Sequence, residues 1–250
     1  MQTPRGRLGA YASWQFRDYA LTTSGLGTLL VPFMLSVFPM LIMKYVVTKS
    51  GATAAQAENA YGTQFQVFVS TLALVGGMLT VAGLVSADRR PGLTRFLFSR
   101  PINVSTYYVQ AWLVRGAGLL LIALVLAQTV NVFVTHAAWR EAIAAVGVAW
   151  ILIGGFGLLL SVLVTRDIPV LLVFYLIVTI LEQIRKNVPT ADWVKPVLAI
   201  MPPFHLLTPL QTALLRGTPV PAGDLWHVLI FGAACVALAT YLVRRLPLVR

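Results

Sequence analysis

The run from Ala142 to Val164 reads AIAAVGVAWILIGGFGLLLSVLV, 23 residues without one charged side chain. A helix of that length rises about 35 Å, enough to cross the hydrocarbon core of a bilayer, which is roughly 30 Å thick. Five further apolar stretches flank it: Leu26 to Val47, Gln64 to Ala87, Tyr107 to Val134, Ile168 to Ile184 and Leu225 to Val243. None shows the ~10-residue alternation of a membrane barrel, so each is read as a helix whose backbone polar groups are satisfied internally. The fold class that follows is an all-α polytopic membrane protein, one domain over 1–250 with six transmembrane helices.

Composition agrees. Hydrophobic residues make up 58% of the chain and charged ones 11%, whereas soluble domains carry about a quarter charged residues. The net charge of +11 punctuates the apolar runs, which marks it as a topology signal facing membrane lipids rather than a nucleic-acid surface. Cys235 is the single cysteine and lies in an apolar run, so no internal disulfide forms.

Lysine and arginine placement sets the expected orientation, because short cytoplasmic loops carry the excess. One set of loops holds Arg5, Arg7, Arg17, Arg89, Arg90, Arg95, Arg100, the membrane-proximal Arg115, Arg166, Arg244, Arg245 and Arg250, twelve positives in all. The alternate set holds Lys44, Lys49, Arg140, Arg185, Lys186, Lys195 and Arg216, seven positives offset by Glu58, Glu141, Glu182, Asp192 and Asp224. Both termini are expected in the cytoplasm.

Two segments outside the spans have their own patterns. Over 1–24, Leu8, Ala12, Phe16, Tyr19 and Ala20 recur at three- and four-residue spacing, Tyr11 and Trp14 are interfacial aromatics, and Arg17 and Asp18 form the polar side. This predicts an elbow helix on the inner membrane surface. The mixed residues after Arg7 lack the compact apolar region of a signal peptide, so the segment is expected to be retained. The stretch 187–223 holds seven of the fourteen prolines, with apolar runs broken at Pro202, Pro203 and Pro209. It reads as short re-entrant or extracellular helices between the fifth and sixth spans.

Candidate chemistry is sparse. Arg115 is expected to snorkel or to pair with Asp88, and Glu182 to pair locally with Arg185 and Lys186, leaving Lys44 as the other ionisable side chain near a span. His136, His205 and His227 lack the spacing of a metal pair, and no serine or threonine sits in a nucleophile motif. Glycines at 76, 77, 83, 147, 154, 155 and 157 suit close helix packing. No catalytic, cofactor-binding or metal site is expected on the chain.

The richest polar segment is 88–106, between the second and third spans. Pro91 can open a helix after Arg90, and Gly92 to Ser99 then make two turns with Leu93, Phe96 and Leu97 on one side before Pro101 stops them. That apolar face, flanked by Arg89, Arg95 and Arg100, suits docking into a groove on a soluble partner whose carboxylates meet the guanidiniums. A helix lying on anionic lipid is the plainer alternative.

The run Gly92-Leu93 through Leu97-Phe98-Ser99-Arg100-Pro101, followed by the hydroxyl- and tyrosine-bearing Ser105-Thr106-Tyr107-Tyr108, resembles the coupling loop of the permease subunits of type-2 ABC transporters. The elbow, the six spans and the helices between spans five and six are similar to that family's layout as well. The resemblance implies an exporter subunit in a bacterial cytoplasmic membrane that forms the pathway with a second permease copy or homologue. It further implies separate ATPase subunits, carrying ATP and Mg, that dock on Arg89, Arg90, Gly92, Leu93, Arg95, Phe96, Leu97, Ser99, Arg100 and Pro101. The short fourth-to-fifth connection, Thr165 to Ile168, departs from the pattern and leaves little room for a second contact. Independently, the sequence contains no G-x-x-x-x-G-K-[ST] loop, so ATP hydrolysis would come from another chain. The other classes are a secondary carrier or small integral membrane enzyme, and a membrane anchor or assembly subunit.

Overall fold

The computed structural model describes residues 4–21, 23–50, 53–86, 88, 103–134, 138–188 and 192–245. Among them there are only helices and connections, and six helices are long and apolar enough to cross a membrane. The all-α polytopic class expected from the sequence is the one observed.

Helix α1 covers Pro4–Leu21. The first span, α2, is built from Thr23–Pro32, a π-helical turn at Phe33–Val37, and Phe38–Ser50. Pro32 and Pro39 have no N–H to offer the ladder, and the wider turn lies between them, closed by the Phe38 N–H on the Phe33 carbonyl. The second span, α3, joins Ala54–Thr71, a second π turn at Leu72–Gly76, and Gly77–Val81. The remaining spans are α4 (Val104–Phe133), α5 (Trp139–Leu163), α6 (Asp167–Asn187) and α9 (Ala222–Arg245).

Most span limits fall within a few residues of those read from hydropathy, but the second does not. It begins near Gln56 rather than Gln64 and ends at Val81 rather than Ala87. Its start is set by a capping box, in which the Gln56 N–H donates to Thr53 Oγ1 and the Thr53 N–H to Gln56 Oε1. Its end is set by Ala82, which turns to extended backbone, and by Gly83 at φ 66, a left-handed conformation that glycine adopts without strain. Polar first turns and one glycine thus shift the whole helix toward the preceding connection.

Helix α5 is the centre of the bundle, with α9, α4, the short helix Leu207–Arg216 and the end of α3 packed round it. Small residues allow the closest approaches: a Cβ on Gly155 would lie 2.5 Å from the Gly232 carbonyl oxygen, and one on Gly232 would lie 2.3 Å from that of Ile151. Backbones meet there as they do in small-residue membrane interfaces. Trp112 and Trp150 stack at 5.8 Å beside Gly154. The outward faces of α2 and α6 carry Leu30, Met34, Phe38 and Ile42, and Leu172, Leu176 and Ile180, as hydrocarbon requires.

Between α6 and α9 the chain forms α7 (Val194–Ile200) and α8 (Leu207–Arg216), the latter preceded by a 3-10 turn at Phe204–Leu206, with a 98° bend between the two limbs. Phe204 packs against Phe156 and Tyr175, with ring centroids 5.9 and 6.0 Å apart. Phe156 lies seven residues, about 10 Å of helical rise, from the end of α5 at Leu163. The bend therefore dips deep into the bundle, as the proline pattern predicts for a re-entrant segment. Below, the end bearing α1, the 82–103 connection and the α5–α6 connection is called proximal, and the other distal.

Candidate functional site at the proximal end

The residues expected to dock a partner, Arg89, Arg90 and those from Gly92 to Pro101, lie outside the described residues. The structure does describe the limbs that hold them, and these carry most of the long-range polar bonds of the proximal end.

The incoming limb begins where α3 stops. Ending a helix leaves its last carbonyls without partners, and Arg115 of α4 takes two of them: its guanidinium donates to the Thr80 oxygen at 3.2 Å and the Ala82 oxygen at 2.9 Å. A cation at a helix C-terminus also meets the negative end of the helix dipole. The Thr80 hydroxyl joins Tyr19 of α1 at 3.0 Å and Thr28 of α2 at 3.3 Å. Four helices thus converge on one turn.

The next residues are caught from the opposite side. The Gly83 N–H donates to Asp167 Oδ2 at 3.0 Å and the Ser86 hydroxyl to the same oxygen at 3.1 Å, while Asp167 Oδ1 accepts from the Ile168 N–H. The Val85 and Ser86 N–H groups both donate to Ser161 Oγ, at 2.9 and 3.0 Å, using the two acceptor positions of one hydroxyl. Asp167 and Ser161 are buried. Ser161 and Asp167, on either side of the short α5–α6 connection, thus grip the incoming limb.

Asp88 ends this described stretch. Burial pushes its carboxyl up to about 6, against the nearby Tyr108 hydroxyl and the positive field of Arg115; Asp18 of α1 pushes the same way as burial. The expected association of Arg115 with Asp88 is therefore electrostatic, while the guanidinium's direct bonds go to carbonyls.

The outgoing limb is fixed separately. Asn103 caps α4 by accepting the Ser105 N–H at 3.1 Å. Ser105 Oγ then donates to the Thr240 carbonyl of α9 at 3.3 Å and accepts from Arg244 Nε at 2.7 Å. One limb is tied to α1, α2, α4, α5 and α6, the other to α9.

The elbow expected over 1–24 is a helix, but its inward face differs from the one predicted. Trp14, Phe16 and Arg17 are exposed and Tyr11 is half-buried, whereas Tyr19, placed with the interfacial residues by its spacing, is buried together with Gln15. Gly118 of α4 admits the Tyr19 ring, since a Cβ there would sit 2.5 Å from it. The reason is the hydroxyl: Thr80 offers Tyr19 a partner that Phe16 and Ala20 cannot use.

At the distal end, Glu182 pairs with Arg185 at 2.8 Å and Lys186 at 3.3 Å, as their helical spacing predicts. Lys44 donates to the Phe133 carbonyl at the end of α4. Thr80, Ser161 and Asp167 are the proximal residues that sequence reasoning missed. The available signals were Gly83, as a helix stop needing new partners, and an aspartate at the first position of a span. A scan against protein-family models and a search of curated proteins give no match.

Proposed function

We propose that the chain is the membrane-spanning subunit of an ATP-driven exporter of the type-2 ABC class, working as a pair and driven by separate ATPase subunits docked on the 88–106 connection. The charge bias of the loops is the argument for a cytoplasmic proximal end and, with it, for a bacterial cytoplasmic membrane. The observation that carries the reading is the double anchoring of that connection. A partner pushing on it would load α9 through Ser105 and Arg244, and five other helices through Thr80, Gly83, Val85 and Ser86. Interfaces of packed helices shift as bodies rather than deform continuously, and such a connection moves the bundle instead of bending alone.

On this reading the subunit has no covalent step of its own. Its work is to convert a displacement into a change of access, and ATP and Mg belong to the partner.

The test is reversal of charge at Arg95 and Arg100 to glutamate, combined with Phe96→Ala, in cells co-expressing the candidate ATPase. The expected result is loss of ATPase co-purification while the permease stays in the membrane. Retention of the ATPase would refute the docking assignment.

A further inference from the structure

Along the seam where α8 packs on α3 lies a polar strip that the proximal site does not use. Thr63 and Thr208 are exposed, Gln66, Ser70 and Thr212 are half-exposed, and Gln211 is buried. Gln66 Nε2 donates to Thr212 Oγ1 at 2.5 Å and the Ser70 hydroxyl to Gln211 Oε1 at 3.0 Å, while Thr212 returns its own proton to the Thr208 carbonyl.

Depth makes the strip unusual. Glu58 is exposed and Tyr61 half-exposed near the distal start of α3, the places of a solvated charge and an interfacial aromatic. Ser70 lies nine residues past Tyr61, about 13 Å of helical rise, close to the middle of a ~30 Å hydrocarbon layer. Two amides at that level are only partly satisfied: Gln66 Oε1 accepts no bond, and Gln211 Nε2 donates none, among the described residues. Hydrocarbon offers such groups nothing, and leaving them unpartnered costs on the order of a few kcal/mol. At comparable depth the lipid-facing side of α6 presents Leu172, Leu176 and Ile180.

We infer that the polar strip along the α3–α8 seam lines a water-filled vestibule entered from the distal end and running past the Gln66–Thr212 and Ser70–Gln211 pairs to Thr208, which seats an uncharged, hydrogen-bonding group such as a sugar or polyol head. The strip carries amides and hydroxyls but no charge, so it offers nothing to hold an ionic head. The vestibule rests on the membrane-spanning fold and not on the ATPase reading: loss of the partner interaction leaves it standing, and its failure leaves that interaction untested and intact.

The experiment uses the full-length chain in membranes open to reagent on both faces, in a Cys235→Ala background. Thr63→Cys, Thr208→Cys and Thr212→Cys are treated with a membrane-impermeant cationic methanethiosulfonate, with Leu172→Cys and Leu176→Cys as lipid-facing controls. Only a thiolate reacts, and thiolates form in water, so the strip cysteines should label at least about 100-fold faster than the controls. Octyl glucoside below its micellar concentration should slow labelling of Thr208→Cys, and Gln66→Leu should remove that protection. Labelling as slow as the controls overturns the vestibule, and if Thr208→Cys then forms a disulfide with a second copy the face is a subunit contact instead. Fast labelling without protection by the glucoside overturns the ligand class.

Discussion

The two ends of the bundle are fastened by different chemistry. At the proximal end, charged or multiply bonded side chains (Arg115, Asp167, Ser161, Arg244) reach across 33 to 139 residues of sequence to hold backbone groups and the hydroxyls of Ser86 and Ser105. Toward the distal end the long-range bonds are single: Gln66 to Thr212 and Ser70 to Gln211 are neutral, the exposed Lys44 meets one carbonyl of Phe133, and Glu182 pairs within its own helix. The buried Asp167 and Ser161 hold their backbone N–H groups away from water, whereas a neutral side-chain pair in a half-exposed seam can be exchanged for water. The proximal end is fastened, and the distal end can open.

That contrast can be broken most forcefully at Arg115. Arg115→Met leaves the Thr80 and Ala82 carbonyls without their donor in a buried setting and should cost about 3 kcal/mol, read as a lowered unfolding midpoint in detergent. Because Arg115 draws the Asp88 carboxyl down, the same variant should raise the Asp88 pKa further. Next in size is Ser161→Ala, which strands the Val85 and Ser86 N–H groups together and should cost about 2 kcal/mol by the same measurement.

Asp88 gives a smaller effect with a definite sign. Its folded value of about 6 lies above the ordinary 3.8, so the fold binds the proton more tightly than the unfolded chain does. The contribution is fully present below about pH 4 and is lost as pH rises through about 6. Stability should fall by about 1 kcal/mol between pH 5 and pH 7, and Asp88→Asn should remove that part of the slope. Smallest is Ser70→Ala in the α3–α8 seam, expected at about 0.6 kcal/mol, in the range of single hydrogen bonds between membrane helices. A cost there equal to that of Ser161→Ala would erase the distinction between the ends.

The six spans were legible because each is a long apolar run, and the re-entrant bend because prolines interrupt its two short ones. Local ion pairing of Glu182 was legible for the same reason, since three- and four-residue spacing is a property of one helix. What escaped was everything set by distance in the fold. The second span was misplaced because its first turns, around Gln56 and Glu58, are polar while its start depends on a cap. Tyr19 was placed among the interfacial residues because its spacing matches Phe16, and only the position of Thr80 turns it inward. Asp167 drew no notice in the sequence as an anchor, since its partners Gly83 and Ser86 lie more than 80 residues away.

The most direct test of the fastened limb is amide hydrogen exchange on the full chain in nanodiscs, followed at Gly83, Val85 and Ser86. These three residues lie outside any regular helix, and without their side-chain acceptors they would exchange as a solvated turn does. The account predicts exchange nearly as slow as in the centre of α5, with protection at Gly83 lost in Asp167→Ala and at Val85 and Ser86 lost in Ser161→Ala. Exchange at the rate of an open loop in the unaltered chain would contradict it.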